Sequence, residues 1–212
     1  MAGVQVTLED DATPLVRILG ATVRRAAASK AGPTVAGMKG VMAVKSTVDP
    51  QAATIRFDKG HVHVERGVAS DVDVLIEADL NNMVGPDAPK PKVSGAAKHV
   101  KFALGVAKVM EPPHGTWQQE ATAFFEFARQ DKDAPKSMRV VNTDNRTEIH
   151  LGDPGQPEYE IHGPEARLLA IFTGGSVIGE DVLSGKIRVR GSLAHASILT
   201  GRSIAWMMGE GQ

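Results

Sequence analysis

KVSGAAKHVKFALG (Lys92–Gly105) and RVRGSLAHASILTG (Arg188–Gly201) align without a gap. Val93 lies over Val189, Gly95 over Gly191, His99 over His195 and Gly105 over Gly201, and Arg188 keeps the charge of Lys92. Each copy reads as a short strand, a glycine, and an apolar helix that ends in methionine. Self-similarity of this kind marks a duplicated structural unit. Glu111-Pro112-Pro113-His114-Gly115 is the clearest break in the chain and places the boundary between the halves. The expected domains are 1–113 and 114–212.

Upstream of each copy the elements follow a similar order. Residues 14–30 read as a helix with Pro14 in its first turn and Thr13 as N-cap, closed by Gly32-Pro33. Strands are expected at 41–47, 53–57, 61–65, 72–76 and 92–93, with Asp58-Lys59-Gly60 turning a hairpin between the second and third. A short helix is expected over 78–84, a loop over 86–91, and a helix over 96–110. In the second half the reading is a helix over 116–130, strands near 138–141, 147–151 and 158–162, a helix over 164–173, a strand over 186–190 and a helix over 193–208.

The bulk numbers narrow the function. The 212 residues suit two small domains, with 42% hydrophobic and 23% charged residues. Aromatic residues make up only 4%, so aliphatic side chains and methionine must fill the interior, and base-stacking nucleic-acid binding is disfavoured. A net charge of −1 offers no global attraction for polyanions. With no cysteine there is no disulfide, thiolate metal site or Cys nucleophile, and the expected setting is a reducing, cytoplasmic one. Neither a transmembrane run nor a secretory leader is read from the chain.

The strand motif Lys92-Val93-Ser94-Gly95, the turn Asp58-Lys59-Gly60 and the strand Asp73-Val74-Leu75-Ile76 resemble those of the sterol carrier protein 2 family. Arg188-Val189-Arg190-Gly191 and Tyr159-Glu160-Ile161 echo them in the second half, where Gly152-Asp153-Pro154-Gly155 is the candidate substitute for the hairpin turn. The resemblance implies an α+β protein of two tandem domains, each a twisted, mostly antiparallel sheet covered by helices. It further implies an apolar tunnel between sheet and helices that holds a sterol, fatty acid or fatty acyl-CoA, without metal, cofactor or catalysis.

On that reading the lining residues are Phe102, Val106, Val109 and Met110 in the first half. In the second they are Ile198, Leu199, Trp206 and Met207, joined by Phe124, Leu169 and Phe172. Apolar stripes on helices serve equally as plain core. Basic residues run without an intervening acid from Arg17 to Lys45 and from Lys90 to Lys108. Such runs suit a CoA phosphate, an anionic bilayer or simply a solvated face. His61 and His63 share one side of a strand but lack companions for a metal site. His99 and His195 recur in the repeat and suggest a shared role in the fold. No nucleophile elbow or P-loop occurs, and Phe172-Thr173-Gly174-Gly175-Ser176 is a weak phosphate signal. Two other classes remain open: a small isomerase or hydratase in the same cavity, and an interaction or dimerisation module without ligand.

Overall fold

The structure, a computed structural model, describes residues 3–80, 89–111 and 114–210. The fold is α+β. The chain forms two compact units, one running to residue 113 and the other from His114 to Gly211.

In the first unit β1 (Gln5–Leu8) precedes α1 (Pro14–Ala28) and α2 (Gly32–Gly37). Then come β2 (Lys39–Ser46), β3 (Ala52–Asp58), β4 (His61–Arg66), β5 (Val74–Ala78), β6 (Lys92–Ser94) and α3 (Val100–Met110). The sheet order is β1-β4-β3-β2-β5-β6. β1 pairs with β4 and β2 with β5 in parallel, and the other pairs are antiparallel. Alternation decides the faces. Met42, Val44, Ile55, Phe57, Val62 and Val64 point into one core with Val16, Leu19 and Val23 of α1 and with Val106 and Val109 of α3.

Three expectations change here. Gly32-Pro33 does not only end α1. It opens α2, because a proline is tolerated in a helix's first turn. Ala78, read as the start of a helix, closes β5, where it pairs with Ser46; the remainder of that expected helix falls largely outside the described residues. α3 starts four residues later than its apolar pattern suggests, since residues 95–99 form a turn held by Lys98 N–H to Gly95 O and His99 N–H to Ala96 O.

The second unit comprises α4 (Trp117–Ala128), β7 (Ser137–Asn142), β8 (Glu148–Gly152), β9 (Tyr159–Gly163), α5 (Glu165–Phe172), α6 (Ile178–Leu183), β10 (Arg188–Gly191) and α7 (Leu193–Met207). Thr116 caps α4 with a reciprocal capping box to Gln119. The sheet order is β10-β9-β7-β8, with β7–β9 parallel and the other two pairs antiparallel.

The duplication is visible in this connectivity. β3-β2-β5-β6 and β8-β7-β9-β10 show the same sequence of antiparallel, parallel and antiparallel pairing, and each ends in a glycine that leads to the last helix. The second unit has no described strand in the place of β4. Gly152-Asp153-Pro154-Gly155 is therefore no hairpin turn: β8 and β9 lie on opposite sides of β7, and the segment carries the chain across.

The repeated glycines and histidines have a structural reason. Gly95 sits at φ 82°, and a Cβ there would strike the carbonyl oxygen of Asp73. Gly191 meets the Tyr159 ring and the Glu158 carbonyl in the same manner. Asp73 accepts the Val41 amide at 2.8 Å and faces His99 Nδ1 at 3.4 Å. Glu158 accepts the Lys136 amide at 2.9 Å and faces His195 Nε2 at 4.0 Å. In each unit the acid just before β5 or β9 thus holds the start of that strand's parallel partner, β2 or β7, and faces the histidine at the start of the last helix.

Candidate functional site

A groove of about 760 Å³ opens in the first unit between α2 and α3. Pro33, Met38, Val100, Phe102 and Leu104 supply its apolar lining, and Lys39, Lys98, Lys101 and Lys108 stand around it. Phe102 packs edge-on against Phe57 at 5.9 Å and so belongs to both core and groove. Gly105 lets the helices approach: a Cβ there would come within 3.1 Å of Met38 Sδ. Gly37 lines the groove with open space above its Cα. No acid occurs on α2 or α3. The four lysines are exposed and make no ion pair among the described residues. The arrangement suits a molecule with an apolar body and an anionic end.

The proposed lining residues separate into groups. Phe102 faces the groove. Val106 and Val109 are buried in the first core, with Met110 packed against it. In the second unit Phe124, Phe172, Leu199 and Trp206 are buried in one cluster, and Leu169 packs against it. The Phe124 ring lies 5.6 Å from Phe172 and 6.2 Å from Trp206, and Trp206 Nε1 donates to the Phe172 carbonyl at 2.7 Å. Contacts this close leave no room between these rings for a guest. Ile198 and Met207 are half-buried.

A second polar cluster occupies the sheet face of the second unit opposite its core. Arg190, Glu160, Arg139 and His150 align across the four strands. Glu160 Oε2 accepts from Arg139 Nη2 at 2.9 Å and lies 2.9 Å from His162 Nε2. His162, and after it Arg139, hold the Glu160 carboxyl below the usual carboxylate range, although burial opposes them. An acid so stabilised as an anion is a poor proton donor near neutral pH, and the cluster fixes the sheet.

This gives a pH prediction. A carboxyl whose folded value is depressed binds fewer protons than in the unfolded chain, so its contribution is present above the unfolded value of about 4.3 and is lost as pH falls through the folded value. Glu160→Gln should cost about 1–3 kcal/mol at neutral pH. In urea titrations the gap between wild type and variant should narrow below pH ~4.

Elsewhere, Tyr159 is buried with no hydrogen-bond partner for its hydroxyl among the described residues, and burial pushes that hydroxyl's pKa up. His63 Nδ1 lies 3.0 Å from Thr7 Oγ1, while His61 is exposed. Among the described residues no cluster of three or more His, Asp or Glu could hold a metal ion. None of their helices is long and apolar enough to cross a membrane.

The groove escaped sequence reading because its lining is scattered over short, small-residue α2 and one flank of α3. Its visible signals were Phe102, expected as a lining residue, and the acid-free lysine run. Compared with known proteins, the chain matches no family model and no curated sequence.

Proposed function

We propose that this protein is a non-catalytic cytoplasmic carrier of the sterol carrier protein 2 type, whose first unit holds a fatty acid or fatty acyl-CoA in the groove between α2 and α3. The observation that carries this reading is the pairing of an apolar lining with four lysines that make no ion pair among the described residues. Within that ligand range the lysines favour the acids and their CoA esters over a sterol, whose hydroxyl gives a cation little to hold. The duplicated strand connectivity supports the two-domain resemblance. The close-packed aromatic cluster of the second unit supports a structural part for that half.

Titration with a fluorescent long-chain fatty acid tests the reading. Full-length protein should bind saturably, and more tightly than it binds the uncharged methyl ester. Gly37→Trp fills the open space in the groove and should weaken binding by roughly tenfold or more, equivalent to about 1.4 kcal/mol or about two buried methylene groups. No saturable binding, or equal affinity in the variant, would refute the proposal.

A further inference from the structure

We infer that the outer face of α3, with the tip of β6, docks on an anionic lipid bilayer. The inference deepens the carrier reading, on which it rests for the cargo's route; the two share Val100, Leu104, Lys98, Lys101 and Lys108 and are told apart by their readouts, flotation for docking and fatty-acid binding for the carrier.

Two large apolar side chains of α3 are exposed, Leu104 at 63% and Val100 at 59% of their accessible surface, and Val93 of β6 is exposed at 49%. Val100 and Leu104 are one helical turn apart and share a face of α3. Lys101 and Lys108 lie on the same helix, with Lys98 at its entry and Lys39 across the groove. Lys92 beside Val93 is also exposed, though it pairs with Glu77 at 3.2 Å. From Lys90 to Lys108 the chain carries no acid.

Isolated exposed leucines need no explanation, but exposed apolar side chains flanked by lysines on one helix and at its entry have the composition of an interfacial helix. The apolar residues enter the headgroup boundary while the lysines meet lipid phosphates, their stems lying along the apolar surface. Charge complementarity selects the partner: an anionic bilayer satisfies both the lysines and the valine–leucine patch, whereas a neutral bilayer leaves the lysines unused. Since Val100, Leu104, Lys98, Lys101 and Lys108 also border the groove, docking turns its mouth toward the source of an acyl ligand.

Vesicle flotation with the full chain tests this. Vesicles of equal parts phosphatidylglycerol and phosphatidylcholine should carry the protein upward, pure phosphatidylcholine vesicles should not, and raised salt should release it. Each Lys98, Lys101 or Lys108→Gln replacement should weaken binding roughly fivefold. Leu104→Glu, an exposed substitution, should nearly abolish flotation. No flotation with anionic vesicles, or flotation indifferent to both Leu104→Glu and the lysine changes, overturns the inference. So does a chain that self-associates on a sizing column through Leu104 and never floats. Saturable fatty-acid binding without flotation removes docking alone, and flotation without fatty-acid binding removes the carrier reading alone.

Discussion

Replacing Trp206 with alanine is expected to destabilise the second unit by about 3–5 kcal/mol, the range for deleting a large buried aromatic. The indole is only 8% exposed. It lies 5.1 Å from the Phe127 ring and 6.2 Å from Phe124, and its N–H satisfies the Phe172 carbonyl. Its removal leaves a cavity framed by rings from two helices and strips a buried carbonyl of its donor. α4, through Phe124 and Phe127, and α5, through Phe172, enclose this residue of α7, and α4 also packs on α5, so closing the gap would disturb contacts that hold the helices together. The readout is peptide-resolved hydrogen exchange, which follows each unit by itself where a single unfolding midpoint would mix them. Protection should fall across β7, β9 and α7. Fatty-acid binding to the groove of the first unit should persist. Preserved protection combined with a changed ligand affinity would mean that Trp206 lines a binding space after all.

That distinction between core and lining shows how far the sequence could be read. Alternation in Ile55, Phe57, Val62 and Val64 placed the hairpin of β3 and β4 and its buried face. The aligned Gly95/Gly191 and His99/His195 marked the duplication, because backbone that must approach a carbonyl admits only glycine. Connectivity was less accessible. Nothing local says that β8 lies on the far side of β7 from β9, since a strand's own pattern records which face is buried and not which neighbour it pairs with. β1 was missed because it is a four-residue edge strand with half-buried alternation, and α6 because Gly174, Gly175 and Gly179 made its surroundings look like loop. The binding residues were hardest. On α3 Phe102 lies in the same stripe as Val106 and Val109, four and seven residues before them, yet it packs on the core and also faces the groove. An apolar periodicity cannot say which side meets protein and which meets ligand. The Glu160 cluster was missed although Glu160 and His162 share a strand face, since its third member, Arg139, is supplied by parallel pairing across the sheet.

Gly95→Ala should have a comparable effect in the first unit, about 2–4 kcal/mol, through backbone geometry instead of a lost side chain. Two costs combine. An alanine at φ 82° pays roughly 1–2 kcal/mol for the left-handed conformation. Its Cβ must also displace the Asp73 carbonyl, which belongs to main chain and cannot rotate aside as a flexible side chain would. Asp73 is fixed in turn, because its carboxylate holds the Val41 amide and its own amide donates to the Val41 carbonyl at 2.8 Å. Relief therefore comes only by parting β5 from β6 or by shifting the start of β2. Gly60→Ala separates the two costs. Its φ is 96° and nothing lies within 4 Å of the added Cβ, so only the conformational cost of about 1 kcal/mol applies. Hydrogen exchange in β2 and β5 should rise strongly in Gly95→Ala and little in Gly60→Ala, and Gly191→Ala should reproduce the larger effect in β9. Equal losses at Gly95 and Gly60 would show that the close approach to Asp73 contributes nothing. The Gly95 clasp would then have no part in coupling the last helix, and the groove it lines, to the sheet.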